Sequence, residues 1–215
     1  MSLTVNGTKY DSEKVKNAIK TGNSGNGLAG AAAGVLDQSE MDTILDYAKK
    51  AGIEVIPMFN APGHMYTAIK AMNSLGIGGK YSGDSDASPA AKALNWSIYP
   101  TDSTAVAYAK ALLTKYVKYF AKKECTMFNI GADESGLSSS NYAAYAEMVN
   151  AMNEIVKSEG MTTLAYNDGI YNTTYASSQS DVTFKNDIVI CYWTTGDGIA
   201  SAKFLSDKGF KILNN

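Results

Sequence analysis

Two adjacent carboxylates, Asp133 and Glu134, follow a short apolar segment that runs from Cys125 to Ile130. The segment has the composition of a buried strand, and burying an unpaired carboxylate is costly. Strict alternation along a strand would send the two side chains to opposite faces. Both can serve one site if the chain leaves regular strand geometry, and Gly131 and Ala132 make this feasible. Taken alone, the stretch is equally compatible with two acids that cap the next helix or are solvated in a loop.

Polar or aromatic side chains also follow the other segments of strand-like composition. Strands are predicted over Ile53–Phe59, Cys125–Ile130, Thr162–Tyr166, Asp187–Trp193 and Gly209–Leu213. The residues at their carboxyl ends are Asn60 and His64, Asp133 and Glu134, Asn167 and Asp168, Tyr192 and Trp193, and Asn214 and Asn215. Parallel α/β folds bind ligands at the carboxyl ends of their strands, so several such ends in succession predict one site.

Segments with helical spacing of apolar residues alternate with these strands. Helices are predicted over Asp11–Ile19, from Ser39 to Gly52, over Met65–Leu75 and Asp102–Lys123, from Ser140 to Gly160, and over Ile199–Lys208. This alternation, with strands that are apolar on both faces, predicts a parallel sheet with helices packed outside it. A closed eight-stranded barrel takes about 250 residues. Five strands therefore indicate either an open doubly wound sheet or a barrel that lacks some strands.

Two segments do not fit this repeat. Leu3–Gly34 is polar, with a loop at Thr21–Gly27, and we expect an excursion from the fold that is not a core element. Gly76–Pro100 is a long loop of low apolar content, and such loops are usually functional or disordered. Within it, Trp96 is either a platform for a sugar or an anchor that holds the loop to the surface. The chain is predicted to be one domain, 1–215, with 1–38 as a loop or insertion and 39–215 as βα repeats.

The overall composition restricts the partners and the location. The chain has 215 residues, a net charge of −2 and no basic block, so we expect no nucleic-acid partner. We expect no membrane span, and no signal peptide is present, which indicates a cytoplasmic protein or a piece of a longer one. Cys125 and Cys191 lack metal-ligand spacing and are expected to be buried free thiols. All 19 basic residues are lysines, and no oligomeric state is predicted.

Carboxylates beside tryptophan and tyrosine suit carbohydrate chemistry. Aromatic rings stack on the C–H faces of sugars, and a carboxylic acid protonates the oxygen that leaves a glycosidic bond. Such an acid must be neutral at working pH, which burial or a neighbouring negative charge achieves. The alternative is a metal site made of His64, Asp133 and Asp168, with or without Glu134. The spacing matches no metal motif and one histidine is a sparse donor set, so we expect neither a metal nor another cofactor.

Four motifs together resemble one enzyme family. Ile53–His64 combines an apolar strand, a proline and then Pro-Gly-His, and it resembles a strand and turn of the family 20 glycoside hydrolases, the β-N-acetylhexosaminidases. Phe128–Glu134 is similar to the Gly-x-Asp-Glu motif of that family, and Tyr166–Gly169 and Tyr192-Trp193 resemble its next two strand ends. Their order and spacing match the family from Ser39 onward.

The resemblance implies a (β/α)8 barrel of the TIM type, incomplete in this chain because the first strands and the last strand are missing. It also implies substrate-assisted retaining hydrolysis, in which the substrate's own acetamido oxygen attacks the anomeric carbon. Glu134 would be the general acid and then the base, and Asp133 would bind the acetamido N–H. The predicted substrate-binding residues are His64, Asn60, Tyr166, Asp168, Tyr192 and Trp193. Among them, His64 would belong to a hydrogen-bond network near Glu134, Trp193 would line the acetamido pocket, and Asp168 and Tyr166 would line the sugar subsite.

Because of departures from the family pattern, we expect the parent protein to be active and this chain alone to be weakly active or inactive. Tyr166 stands where the family usually has tryptophan, and the sugar-binding arginine of the first strand lies outside this chain. We expect a glycan with terminal β-linked N-acetylglucosamine or N-acetylgalactosamine as the partner. Leu3–Gly34 also resembles an insertion of a Gram-positive cell-surface branch, so the parent protein is expected to be secreted or anchored to the cell wall. The alternatives are a lacto-N-biosidase that releases a disaccharide and a non-catalytic carbohydrate-binding relic.

Overall fold

A five-stranded parallel sheet forms the centre of the computed structural model, which describes residues 2–23, 36–83, 96–176 and 182–215. The strands of the described chain are β1 (Leu3–Val5), β2 (Thr8–Tyr10), β3 (Met58–Ala61), β4 (Tyr81–Ser82), β5 (Ser97–Ile98), β6 (Met127–Gly131), β7 (Thr162–Tyr166), β8 (Val189–Tyr192) and β9 (Lys211–Asn214). The central sheet has the order β3-β6-β7-β8-β9, and every neighbouring pair in it is parallel. The predicted parallel α/β sheet is therefore confirmed.

Helices alternate with the strands of the central sheet along the chain. They are α1 (Ser12–Asn23), α2 (Gln38–Lys50), α3 (Tyr66–Ser74), α4 (Ser103–Lys122), α5 (Tyr142–Ser158) and α6 (Ala202–Asp207). Side-chain caps mark the starts of α2, α4 and α6. Asp37 forms a capping box with Glu40, and the side chains of Asp102 and Ser201 accept hydrogen bonds from the first turns of α4 and α6.

Both edges of the sheet are open within the described chain. Phe59 stacks on Tyr116 of α4, and Met58 therefore points to the opposite, inner face, where it is 55% exposed. At the other edge, Leu213 is 45% exposed. A cleft of about 480 Å³ opens beside β3. The inner layers of a closed barrel would cover such residues, which are uncovered beside the unpaired edges of this sheet.

The expected start of β3 is wrong. The sequence pattern predicts a strand over Ile53–Phe59, whereas the paired strand runs from Met58 to Ala61. Pro57 has no N–H and cannot donate to a strand ladder, although its carbonyl still accepts from the Asn129 N–H at 2.9 Å. The strand also ends two residues later than predicted, at Ala61, which pairs with Gly131.

The N-terminal segment also differs from expectation. Leu3 and Val5 on β1 and Val15 on α1 are almost fully buried in the core, so the described part of this segment is not an excursion from the fold. Helix α1 continues to Asn23, past the predicted loop start at Thr21, while residues 24–35 lie outside the described chain. The few apolar residues of this segment are the buried ones, and the average composition of the segment, which is polar, does not reveal their burial.

The described parts of the predicted Gly76–Pro100 loop contain two short paired strands. Strands β4 and β5 pair as an antiparallel hairpin, and residues 84–95 lie outside the described chain. Trp96 is 7% exposed, its ring stacks on Tyr81, and it meets Tyr66 edge to face. These contacts support the anchor interpretation of Trp96.

Two further expectations concern the cysteines and the membrane. Cys125 and Cys191 are buried and free, as predicted. Among the described helices, none combines the length and the apolar character that a membrane crossing requires.

Candidate active site

The chain leaves strand geometry where β6 ends, and this turn brings both carboxylates to one place. Gly131 and Ala132 have φ angles of 71° and 69°, and Glu134 has a φ of 42°, all in the left-handed region. Asp133 is 14% exposed at its side chain, whereas the Glu134 side chain is 54% exposed. The predicted departure from strand alternation is confirmed. One acid is held inside the site and the other reaches toward solvent.

The turn after β3 packs directly on this carboxylate loop. Asn60 Nδ2 donates to Asp133 Oδ1 over 2.7 Å. A Cβ on Gly63 would lie 2.7 Å from the Asp133 carbonyl oxygen, so only glycine permits this approach. The next residue, His64, has a φ of 54° and places its Nε2 3.6 Å from Asp133 Oδ2 and 3.3 Å from Glu134 Oε2. Asn60 and His64 are thus at the carboxylates, as the strand ends predict.

The loop after β7 approaches from the other side. Asp168 Oδ2 accepts a hydrogen bond from the backbone N–H of Glu134 at 2.8 Å. Asp168 Oδ1 accepts from the indole Nε1–H of Trp193 at 3.2 Å. Asn167 is fully buried, and its Oδ1 accepts from the backbone N–H of Trp193 at 2.9 Å. These bonds join the ends of β6, β7 and β8 into one constellation.

The two aromatic residues at the end of β8 have different surroundings. Trp193 is 41% exposed and meets the Tyr166 ring edge to face at 6.4 Å, so these two rings form a wall beside the carboxylates. Tyr192 points to the other face, where its hydroxyl donates to the Ala200 carbonyl at 3.4 Å. The contacts of the described residues do not join Tyr192 to the carboxylate constellation. Asn214 pairs with Tyr192 in the sheet, and Asn215 donates to the Tyr192 carbonyl.

Charge coupling in the site favours ionised Asp133. The Asp133 carboxylate has the largest effect on His64 and raises the pKa of the imidazole, with Glu134 and Asp168 adding to the rise and burial opposing it. Burial alone would raise the pKa of Asp133, but His64 and the Asn60 hydrogen bond outweigh it and leave the pKa below its ordinary value. A buried, ionised Asp133 is therefore available as a hydrogen-bond acceptor.

Asp168 responds in the opposite sense. Burial raises its pKa, the N–H groups of Glu134 and Trp193 counter that rise, and nearby Asp133 adds to it. Two carboxylates in one site thus have pKa values shifted in opposite directions by their environments.

His64, Asp133 and Glu134 also meet the distance requirement for a cation. One possible ligand atom from each lies within 4.8 Å of the others. A nitrogen and two carboxylate oxygens are an acceptable donor set for zinc. The same distances are those of an imidazole shared between two carboxylates, so the geometry by itself permits either arrangement.

Two buried tyrosines support the site from below, and sequence patterns did not identify them as more than core residues. Tyr145 donates to the Ala132 carbonyl at 2.6 Å, and Tyr142 donates to the Gly169 carbonyl at 2.9 Å and accepts from the Asn172 N–H. Both lie on the buried face of α5. Tyrosines on the apolar face of a predicted helix could have indicated this role, because the hydroxyl of a buried tyrosine usually has a hydrogen-bond partner.

A protein-family model for the catalytic domain of glycosyl hydrolase family 20 matches residues 2–214. The chain belongs to this family. Hydrolases of family 20 cleave terminal β-linked N-acetylhexosamine. The family resemblance of the sequence motifs is therefore confirmed over nearly the whole chain.

Solved structures of family 20 enzymes have the same fold as this chain. The pneumococcal exo-β-D-N-acetylglucosaminidase StrH, described as a virulence factor and studied for N-glycan recognition and hydrolysis, is 31% identical, with a TM-score of 0.82. The match covers 100% of this chain and 53% of the StrH chain. Dispersin B, at 24% identity over 84% of this chain and 53% of its own, has a TM-score of 0.61 and supports the fold. The (β/α)8 barrel class of the family is thus confirmed.

A curated relative of this chain is an enzyme with a different name and specificity from StrH. The lacto-N-biosidase of Bifidobacterium bifidum is 28% identical over 196 residues, which is 80% of this chain and 16% of the relative. The chain therefore spans about half of the StrH structure and a smaller part of the lacto-N-biosidase.

Proposed function

We propose that the protein containing this chain is a β-N-acetylhexosaminidase that removes terminal β-linked N-acetylglucosamine or N-acetylgalactosamine from glycans. The observation that carries the proposal is the arrangement of the adjacent pair at the end of β6. Asp133 is buried and held by Asn60 and His64, while the neighbouring Glu134 is half exposed. One acid is placed to bind, and the other is placed to reach a leaving group.

Family membership and this geometry support a substrate-assisted retaining mechanism. The acetamido oxygen of the substrate attacks the anomeric carbon, the glycosidic bond breaks, and Glu134 gives its proton to the leaving oxygen. Ionised Asp133 accepts the acetamido N–H and balances the positive charge of the cyclic intermediate. Glu134 then takes a proton from water, which opens the intermediate with net retention. No protein nucleophile is required, so the carboxylate spacing of other retaining glycosidases does not apply.

The surrounding residues would bind the sugar. The Trp193 and Tyr166 rings form the wall on which the acetamido methyl and the sugar face pack. His64 bridges the two carboxylates and keeps Asp133 ionised. Asp168 lies beside these groups, and its carboxylate oxygens accept from the N–H groups of Glu134 and Trp193. Tyr192 would not contact the sugar, because its hydroxyl donates to the Ala200 carbonyl on the other face of β8.

The decisive experiment is hydrolysis of para-nitrophenyl N-acetyl-β-glucosaminide by the enzyme with its complete barrel. Glu134→Gln keeps the size of the side chain and removes its acid function, so turnover is expected to fall by about two to four orders of magnitude. The control is Glu147→Gln, an exposed change on α5 that should leave turnover unchanged. Full activity of Glu134→Gln would contradict the assignment.

The metal alternative gives a different result in the same assay. Chelation of divalent cations should leave the rate unchanged if His64 serves as a proton-bearing bridge. A loss that added zinc restores would instead favour a metal held by His64, Asp133 and Glu134.

A disaccharide-releasing activity is a second candidate because the relative from Bifidobacterium bifidum is a lacto-N-biosidase. Comparison of para-nitrophenyl N-acetylglucosaminide with para-nitrophenyl lacto-N-bioside distinguishes the two specificities. Binding of N-acetylglucosamine without turnover of either substrate would instead indicate the non-catalytic relic.

We also propose that the parent protein acts outside the cell or on the cell wall. The support is the similarity to StrH, a virulence factor studied for N-glycan hydrolysis. Such glycans are carried by surface and secreted proteins. Fractionation of the source cells, with activity measured on intact cells and in the medium, tests this location.

A further inference from the structure

Asp168 differs from a typical sugar ligand because protein N–H groups occupy both of its carboxylate oxygens. Oδ2 accepts from the Glu134 backbone at 2.8 Å, and Oδ1 accepts from the Trp193 indole at 3.2 Å. Its own carbonyl accepts from Asn172 Nδ2 at 2.7 Å, which fixes the loop that carries it. The side chain therefore joins the end of β6 to the end of β8.

From this geometry we propose that Asp168 is a positioning residue that holds the catalytic acid Glu134 and the pocket wall Trp193 in register with each other. The inference rests on the proposed function and extends it. The family resemblance implies a sugar-lining role for Asp168. The two N–H partners assign it the different task of setting where the acid lies relative to the sugar.

The placement of Glu134 depends on its backbone more than on side-chain packing. Its side chain is 54% exposed, and the ion pair of its carboxylate among the described residues is with His64 Nε2. Its backbone has a φ of 42°, which a residue with a side chain adopts only when its surroundings fix it. The hydrogen bond from its N–H to Asp168 supplies such a constraint, on the residue that must deliver the proton.

Trp193 has a similar dependence on its polar partners. Its ring is 41% exposed and has an edge-to-face contact with Tyr166. Asn167 Oδ1 holds its backbone N–H, while Asp168 Oδ1 holds its indole N–H. Asn167 and Asp168, which are adjacent in the loop after β7, thus fix the backbone and the ring of Trp193. The two N–H bonds also counter the effect of burial on the pKa of Asp168, as expected if the carboxylate is anchored by them.

Leaving groups of different acidity provide the test, in the enzyme with its complete barrel. The substrates are phenyl and dinitrophenyl N-acetyl-β-glucosaminide, compared by kcat/KM, which reports the step that breaks the glycosidic bond. Phenolate leaves slowly unless protonated, whereas dinitrophenolate leaves without help. Asp168→Asn keeps the shape but offers one acceptor oxygen to two donors. A displaced acid should lower kcat/KM on the order of 100-fold for the phenyl substrate and by no more than about threefold for the dinitrophenyl substrate.

Two comparison variants separate positioning from general damage. Trp193→Phe removes the indole N–H but keeps the Glu134 bond, so its losses should be similar for both substrates. Asp207→Asn, an exposed aspartate paired with Lys203, should change neither value. Equal losses of Asp168→Asn on both substrates would overturn the positioning role. A wild-type enzyme inactive on both substrates would instead refute the proposed function.

If Asp168→Asn does not fold, the proposal can still be tested on the wild-type enzyme. Hydrogen exchange in the wild-type enzyme, followed by NMR, should show that the Glu134 amide N–H and the Trp193 indole N–H are protected, although both residues are exposed. Exchange of the Glu134 amide at the rate of a free loop residue would overturn the proposal, whatever the enzyme hydrolyses.

Discussion

The side-chain amide of Asn60 donates a 2.7 Å hydrogen bond to Oδ1 of Asp133. The bond joins neighbouring parallel strands, because Asn60 is on β3 and Asp133 follows β6. It occupies one oxygen of the carboxylate and leaves the other turned toward His64. Asn60 thereby fixes the orientation of the acid proposed to bind the acetamido group.

Removal of this amide should weaken catalysis more than folding. For Asn60→Ala, kcat/KM on an aryl N-acetylglucosaminide is expected to fall on the order of 10- to 100-fold, since hydrogen bonds to charged groups contribute roughly 1.5–3 kcal/mol. The matched control is Asn186→Ala, which removes an exposed amide bonded to the Lys208 carbonyl. A decrease of the same size in the control, or none in Asn60→Ala, would argue against this role for Asn60.

Gly131 makes the contact between Asn60 and Asp133 possible. A Cβ at Gly131 would lie 2.0 Å from Asn60 Oδ1, and its φ of 71° is unfavourable for any side chain. Gly131→Ala is therefore expected to lower the free energy of unfolding by at least about 1–3 kcal/mol and to impair turnover. Gly78→Ala should be nearly neutral, because a Cβ there meets no atom within 4 Å. Urea unfolding of both variants measures the difference, and equal stabilities would contradict it.

Much of this site follows from where the strands end. The sequence predicts the five strands of the sheet and the polar residues after them, because apolar runs and glycines mark these points directly. Asp133 and Glu134 were identified in this way, together with the need for an irregular backbone at Gly131. Tyr192 is predicted to bind the substrate together with Trp193, but strand alternation sends these neighbours to opposite faces, and the Tyr192 hydroxyl lies at the Ala200 carbonyl.

The parts that sequence did not predict depend on contacts between distant residues. Nothing local indicates that Asp168 bonds the Glu134 backbone, 34 positions away. The start of β3 was wrong because strand pairing, which Pro57 disfavours, decides a strand boundary more than apolar composition does. The burial of Leu3 and Val5 was missed for a related reason, since only packing shows that two apolar residues in a polar segment reach the core.

The only histidine of the chain should give the site a measurable pH dependence. The pKa of His64 is raised from 6.5, chiefly by Asp133, so its stabilising contribution is complete below 6.5 and is lost as pH rises through the raised value. The pKa of Asp133 lies below 3.8, because His64 and Asn60 outweigh burial, so its contribution is lost as pH falls through that lowered value. Both contributions are present between 3.8 and 6.5.

His64→Gln should therefore cost more stability inside this interval than above the raised pKa of His64. Urea unfolding of wild type and variant at one pH in each region measures the difference. The imidazole proton resonance of His64 should also titrate above 6.5 in the folded protein. A titration at or below that value would show that the imidazole does not share a proton with the carboxylates.

Tyr145 provides a test of the support beneath the carboxylate loop. Its hydroxyl is fully buried and donates to the carbonyl of Ala132, the residue with a φ of 69° directly before Asp133. Tyr145→Phe removes this donor and leaves a buried carbonyl without it, at an expected cost of about 1–3 kcal/mol. In a chain of this length each kcal/mol lowers Tm by about 2–4 °C. Tyr47→Phe, at a ring that is 70% exposed, should leave Tm unchanged. Because the loop carries both proposed catalytic acids, kcat should fall with Tyr145→Phe even at temperatures where the variant is fully folded. A variant that loses stability but retains kcat would show that the backbone turn holds its shape without the tyrosine.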